Sequence, residues 1–269
     1  VIVGEDIDLL VLLTALAPKR RELLFFKPGK GNVEGKIYSP RCIPSNLRSS
    51  MLLAHAFTGC DSTSSFYKKG KLLLYNLLKK EVRLRRCARI FSSPKVTLSA
   101  IFSAGKEILL RIYGVSSKSC RRMKINEWRY KMYEKNVRKR KGSDMRVICP
   151  TADAAAQHFK RVYIQIQSWR GNNQLNILNW GWRLDENQRL QQVTMLKPPA
   201  PSFLLKNIFC SCKTTCENRC SCRKTGMLNR NMCVTQEKNS IWALHFLLYF
   251  ICIYCRFTMG CIYRPATEK

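Results

Sequence analysis

The sequence predicts a protein of the α/β class, and three observations carry that prediction. A short apolar run opens the chain, an acidic turn follows it, and an apolar segment of helical length comes next. A second short apolar run lies after that segment. Strand, turn and helix in this order are typical of α/β domains, in which helices cover a sheet.

The first elements are assigned from the places where the apolar runs stop. Residues 1–3 are predicted as a buried strand, residues 4–8 as the turn after it, and residues 9–17 as a helix that Pro18 ends. Residues 22–28 are predicted as a second buried strand. Because the chain begins with Val1 rather than Met and is already inside an apolar run, we expect it to be a fragment of a longer protein.

The middle of the chain predicts further helices. Residues 51–57, 71–80 and 106–113 have helical patterns, and the helix that opens at Thr151 has the clearest periodicity. Its apolar residues recur in steps of four and three, which is the spacing of a core-facing stripe. The stripe consists of Ala155, Phe159, Val162, Ile166 and Trp169.

Three aromatic residues near that helix are given packing roles. His158 lies beside the stripe, so we expect it to be a packing or surface histidine rather than a metal ligand or a base. Trp180 and Trp182 flank a glycine, and we expect them to pack against the helix. The alternative for the two tryptophans is stacking on nucleic-acid bases.

Two acidic turns carry the candidate catalytic residues. Asp6 and Asp8 follow the first strand, and Asp61 lies in a turn of small hydroxyl residues after the helix at residues 51–57. Carboxylates at the carboxyl end of a parallel strand lie where open α/β sheets build their sites. Hard oxygen ligands of this kind suit Mg²⁺ or Mn²⁺. The alternative is helix capping, which needs the same acidic or hydroxyl residues.

Composition favours a polyanionic partner. Lys and Arg total 48 against 17 Asp and Glu, which gives a formal net charge of +31 and a pI near 10.0. An excess of this size favours nucleic acid, although solvated basic faces are a common alternative. Residues 118–141 concentrate the charge, with eleven Lys and Arg, two acidic residues, and three aromatic residues between them. Arg138, Lys139, Arg140 and Lys141 match a nuclear import signal, so we predict a nuclear protein that contacts nucleic acid there.

A cysteine block near the C-terminus has the spacing of metal ligands. Six cysteines lie within 24 residues, and two Cys-x-Cys pairs bracket a fifth thiol. The span is too short to bury a hydrophobic core. Bound zinc is therefore predicted to hold it folded, and disulfides are the alternative. The predicted zinc ligands are Cys210, Cys212, Cys216, Cys220, Cys222 and Cys233.

The stretches Gly-Glu-Asp-Ile-Asp-Leu-Leu-Val-Leu-Leu at residues 4–13 and His-Ala-Phe-Thr-Gly-Cys-Asp-Ser-Thr-Ser at residues 55–64 together resemble a PIN-like domain of the flap-endonuclease type. The match is closest to the version in transposon-derived animal proteins, and the cysteine block is similar to a Tesmin/TSO1-like CXC module. The resemblance implies a truncated parallel sheet with helices. It also implies that Asp6, Asp8 and Asp61 hold a divalent metal for phosphodiester hydrolysis. In the cysteine block it implies DNA contacts from Lys213, Arg219, Arg223 and Lys224.

These observations divide the chain into four parts. We predict a truncated PIN-like α/β domain at residues 1–115, a basic helical region at 116–200, a zinc module at 201–235 and an apolar tail at 236–269. The predicted function is nucleic-acid binding, with DNA as the partner, by a protein derived from a mobile element. The alternative is a partial chain of an active metal-dependent endonuclease. A third reading is membrane attachment through residues 241–263, whose uninterrupted apolar run is shorter than the roughly 20 residues of a bilayer span.

Overall fold

A computed structural model describes residues 1–18, 22–137 and 145–197, and every structural statement below concerns those residues. They form a mixed α/β structure in which helices predominate, so the α/β prediction is confirmed at that level. The helices are α1 (Ile7–Leu16), α2 (Ser45–Arg48), α3 (Met51–Thr58), α4 (Lys71–Lys80), α5 (Val82–Ser92), α6 (Leu98–Ile112), α7 (Ile125–Val137) and α8 (Ala152–Trp169). The strands are β1 (Ile2–Val3), β2 (Phe25–Lys27), β3 (Lys36–Tyr38), β4 (Trp182–Leu184) and β5 (Leu190–Gln192).

The N-terminal sheet has three strands in the order β1, β2, β3. β1 is parallel to β2, with Ile2 opposite Phe25, and α1 connects the two strands. The two predicted strands and the helix between them are therefore confirmed as elements. The second strand is buried at Phe25, but the first is not buried as predicted, because Val1 and Val3 are exposed. β3 is antiparallel to β2, so the predicted parallel sheet is in fact mixed. The physical reason is local, because the short segment between β2 and β3 permits a hairpin but not the longer crossover that a parallel pair needs.

The hydrophobic core is centred on α3. Residues 52–58 of this helix are all buried, and Phe57 has no exposed surface. The Phe57 ring stacks on that of Phe159 in α8, with ring centroids 5.7 Å apart, and meets the edge of the Phe91 ring of α5. Burial of each such side chain stabilises the fold by roughly 1.5–3 kcal/mol.

The longest helix, α8, confirms the predicted stripe. Ala155, Phe159, Val162 and Ile166 are buried, and Trp169 is partly buried against the same core. The helix begins after Thr151, whose Oγ1 accepts a hydrogen bond from the Ala154 amide at 3.2 Å, as a capping residue does. Trp180 stacks on Tyr163 of this helix with centroids 4.6 Å apart, which confirms its packing role.

The close approach of α6 to α8 requires a glycine. A Cβ atom at Gly105 would lie 2.6 Å from ring atoms of Phe159, a separation that carbon atoms do not tolerate. α6 also packs against α5 and against α7. Residues Val1–Val193 form one compact unit, and the predicted boundary between residues 115 and 116 falls inside it.

Candidate nucleic-acid interface

The basic segment that begins at residue 118 is fixed to the core by backbone acceptors. The indole Nε1 of Trp128 donates a hydrogen bond to the Tyr113 carbonyl at 3.1 Å, next to the end of α6. The ammonium of Lys106, within α6, donates to the Arg121 carbonyl at 3.1 Å. Cys120 and Ile125 are buried beside these contacts. The segment is therefore held in one place relative to the rest of the unit.

One arginine of the segment serves the fold rather than the surface. Arg129 is only 5% exposed, and its guanidinium donates to the carbonyl of Cys149, which lies shortly before α8. A side chain buried to this degree is not accessible to a nucleic-acid phosphate. Sequence analysis groups Arg129 with the exposed basic residues around it, because nothing in the local pattern indicates that Arg129 is buried.

The remaining basic residues of the segment face solvent. The first turn of α7 contains Glu127, whose carboxylate accepts a hydrogen bond from Lys131 at 2.7 Å. That hydrogen bond and the charge of Lys131 lower the pKa of Glu127. Tyr130 is 50% exposed on the same helix, whereas Trp128 and Tyr133 are half-buried. We define the α7 basic surface as Lys118, Arg121, Arg122, Lys124, Tyr130, Lys131 and Lys135, all of them exposed.

A second group of cations lies against aromatic rings beside this surface. The guanidinium carbon of Arg146 lies 4.5 Å from the centre of the Tyr67 ring, and the Lys68 ammonium lies 5.3 Å from the same ring. The Lys69 ammonium lies 5.4 Å from the centre of the Tyr113 ring, and Tyr113 also accepts the Trp128 hydrogen bond. Sequence reasoning missed this group. The run Tyr67, Lys68, Lys69 was its only local signal.

The first acidic turn is a helix cap. The carboxylate of Asp6 accepts a hydrogen bond from the Asp8 amide at 2.9 Å, so Asp6 is the capping residue of α1. The carboxylate of Asp8 lies 2.8 Å from Nε2 of His55, a buried residue of α3. Neither ring nitrogen of His55 makes a hydrogen bond of full geometry with the described residues. The 2.8 Å separation places the two groups in contact, and the tautomer decides which ring nitrogen carries the proton.

The turn that contains Asp61 links α3 to α8. Thr63 Oγ1 donates to the Ala56 carbonyl at 2.6 Å, and the Ser62 hydroxyl donates to the Gln165 side chain. Gly59 begins the turn with φ of 110°, and a Cβ there would lie 2.7 Å from that of Ser65, so the position requires glycine. Asp61 itself is exposed.

The predicted catalytic carboxylates do not form a metal-ligating group in the part of the chain that the structure describes. No three His, Cys, Asp or Glu side chains among those residues are arranged to hold a metal ion. Asp6 caps α1, and the carboxylate of Asp8 contacts His55. We derive no chemical step through such an ion.

The packing role of His158 is confirmed. Its ring is buried, its Nε2 lies 3.0 Å from the Phe57 carbonyl, and its edge meets the Phe66 ring with centroids 4.9 Å apart. Burial, together with the charge of nearby Arg161, lowers the pKa of His158 to about 3. A histidine with so low a pKa stays neutral at physiological pH.

Several predicted residues lie outside the described ranges. These include the import-signal residues 138–141, the six cysteines, the four basic residues predicted within the cysteine block, and the apolar tail. Of the helices within the described ranges, none is long and apolar enough to cross a membrane. Comparison of the chain with protein-family models, with curated proteins and with solved structures finds no match.

Proposed function

We propose that this protein binds nucleic acid, with duplex DNA as the partner, through the α7 basic surface. The observation that carries the proposal is the set of exposed Lys and Arg side chains on an anchored segment. Residues 118–137 contain seven Lys and Arg against two acidic residues, and Glu127 is already paired with Lys131. Like charges held this close repel each other, and a polyanion relieves the repulsion.

The physical basis is the release of counterions from DNA. Each phosphate that a Lys or Arg neutralises frees condensed cations, so affinity falls steeply as salt rises. An anchored segment supports this better than an unanchored chain, because the backbone that carries the cations is already ordered. Tyr130 adds an exposed ring on α7, which suits contact with sugar or base faces.

The cysteine block enters the proposal through its spacing alone. We propose that Cys210, Cys212, Cys216, Cys220, Cys222 and Cys233 bind zinc and that the basic residues between them contact the DNA backbone. Origin from a mobile element and nuclear localisation belong to the same proposal and rest on the sequence resemblance and on the run at residues 138–141. Nuclease activity would need the three aspartates to share a metal ion. Nucleic-acid binding needs no such ion, so we propose binding ahead of nuclease activity.

A salt series with matched double variants tests the α7 basic surface. Equilibrium binding of the full chain to a 20-base-pair DNA duplex is measured from low to moderate salt. The wild type is expected to show a steep, linear fall of log affinity with log salt. Arg121→Gln with Arg122→Gln removes two exposed cations, so the slope is expected to decrease by about 1.8, at about 0.9 per phosphate contact.

The control is Lys30→Gln with Lys36→Gln, which removes the same charge from exposed residues on the β2–β3 hairpin. This variant is expected to keep the wild-type slope to within about 0.5. Equal losses in the two double variants would show that net charge alone, and not the α7 basic surface, governs binding. A wild-type chain without salt-sensitive binding would overturn the proposed function itself.

A further inference from the structure

A second set of exposed cations lies on α4 and α5 and does not belong to the α7 basic surface. Residues 71–113 contain ten Lys and Arg and only two acidic residues, Glu81 and Glu107. Both carboxylates are already engaged, since Glu81 pairs with Arg111 and Glu107 pairs with Arg83. The acidic side chains of this region therefore leave the other cations unneutralised.

Arg85 is also occupied, and its contacts bring the two helices together. Its guanidinium donates to the Leu78 carbonyl at 2.7 Å and to the Lys79 carbonyl at 3.1 Å, where the last carbonyls of α4 lack partners inside the helix. Because Arg85 belongs to the first turns of α5, this contact holds the end of α4 against α5. The contact thereby fixes the backbone positions of the neighbouring basic residues relative to one another.

Within α4 and α5, four cations are exposed and make no ion pair or side-chain hydrogen bond with the described residues: Lys79, Lys80, Arg86 and Arg89. Arg86 and Arg89 are three residues apart, so they lie on one face of α5 about 4.5 Å apart along its axis. The opposite face of α5 is buried in the core through Leu84, Cys87, Ala88 and Phe91. We call these four cations, two at the end of α4 and two on α5, the α5 basic face.

We propose that the α5 basic face is a second contact surface for the phosphodiester backbone of DNA. This inference rests on the proposed function and adds a site that the sequence analysis did not identify. Guanidinium groups bind phosphate oxygens through two parallel hydrogen bonds, and the helix sets the spacing of the two arginines along one face. α6 packs against both α5 and α7, so the two basic surfaces flank one helix.

The other anionic partners fit this face less well. A basic helix that binds a membrane surface inserts its apolar face into the lipid, but the apolar face of α5 is already buried in the protein core. A protein interface needs an apolar or aromatic centre. Of the large apolar side chains of α5, Val82 alone is exposed, at one end of the helix. What α5 offers to a partner is positive charge, and the phosphate backbone matches it.

The test uses one double variant of the full chain that carries both Arg86→Gln and Arg89→Gln. Its DNA binding is compared, by the same salt series, with that of the Lys30→Gln, Lys36→Gln control. Loss of two phosphate contacts is expected to lower the slope by about 1.8 and to weaken binding roughly 60-fold at 0.1 M salt. Arg86→Lys with Arg89→Lys keeps the charge, so it is expected to keep the slope and to lose only part of the affinity. Far-ultraviolet circular dichroism and a denaturation midpoint confirm that each variant is folded.

The outcomes separate this inference from the proposed function. In one outcome, the Arg86, Arg89 variant binds DNA as tightly as the hairpin control does, whereas the Arg121, Arg122 variant binds DNA more weakly. The α5 basic face is then not a DNA contact, and the proposed function stands. If wild-type chain lacks salt-sensitive binding, both proposals fail. Vesicles rich in phosphatidylserine form a second arm. Vesicle binding that depends on Arg86 and Arg89, with DNA binding that does not, would assign the face to a membrane and overturn the inference.

Discussion

Nε2 of His55 lies 2.8 Å from Oδ1 of Asp8, and this contact joins α3 to α1. The His55 ring also stacks on Trp169 of α8, with centroids 5.5 Å apart and 29° between the ring planes. Three helices therefore meet at one buried imidazole. A carboxylate predicted as a metal ligand is, in the fold, the polar partner of that imidazole, so substitutions at Asp8 are expected to act first on stability.

Asp8→Ala is expected to lower the free energy of unfolding by about 1–3 kcal/mol, because a buried polar group of His55 loses its neighbour. Chemical denaturation monitored by circular dichroism measures the change. Glu5→Ala is the matched control, since Glu5 is an exposed carboxylate of the same turn, and its effect is expected to stay within about 0.5 kcal/mol. Equal effects of the two substitutions would show that the contact with His55 contributes no stability.

The buried His158 predicts a loss of stability in mild acid. Its folded-state pKa, lowered to about 3, lies far below the ordinary value of 6.5. As the pH falls, the unfolded chain therefore binds a proton first, and stability present above pH 6.5 is lost progressively down to about pH 3. Between pH 7 and pH 5 this residue is expected to contribute a loss of about 2 kcal/mol.

Denaturation midpoints of wild type and His158→Gln, measured over that pH range, isolate the contribution. The other histidines and the carboxylates are common to both proteins, so they cancel in the difference. The variant is expected to be less stable at pH 7 but to depend less on pH. Parallel pH profiles would mean that the histidine at position 158 is accessible to protons in the folded state.

Arg129 and Lys131 carry the same charge two residues apart and are expected to respond oppositely to substitution. Arg129→Gln removes a buried guanidinium that donates to the Cys149 carbonyl, so it is expected to cost about 2–4 kcal/mol of stability. Lys131→Gln removes an exposed cation and is expected to cost less than about 0.5 kcal/mol. For DNA binding by folded protein, the salt slope is expected to fall by about 0.9 for Lys131→Gln and to stay unchanged for Arg129→Gln.

Thermal or chemical denaturation and the DNA salt series together provide both readouts. A salt slope that falls equally for the two variants would contradict the burial of Arg129. Lys131→Glu extends the series, since a reversed charge is expected to weaken DNA binding further without unfolding the protein.

The cysteine block predicts one or two zinc ions for each full chain purified under reducing conditions, as measured by elemental analysis. Cys210→Ser with Cys220→Ser is expected to lower the zinc content, because each tetrahedral site needs four ligands. Cys42→Ser is the control, since Cys42 is exposed and lies far from the block in sequence. A chain without zinc, or a zinc content that is unchanged in the double variant, would rule out the predicted module.

Local sequence patterns were sufficient to predict the helices whose apolar periodicity is strong. The stripe of α8 and the apolar run of α3 were identified from sequence, and α4 has the predicted bounds. β3 was missed because its residues Lys36–Tyr38 are all exposed and give no burial signal. α5 was also missed, although Leu84, Cys87, Ala88 and Phe91 recur at helical spacing, because its arginines dominate the composition.

The charge, the cysteine spacing and the main helices follow from the sequence, because they depend on composition or on residues a few positions apart. Only the folded chain shows that Asp8 contacts His55, that Arg129 is buried, and that Arg86 and Arg89 are exposed on α5. Each of these depends on the packing of distant segments. A charged side chain is buried or exposed according to which backbone carbonyls and carboxylates the fold places near it, and those neighbours lie far along the chain.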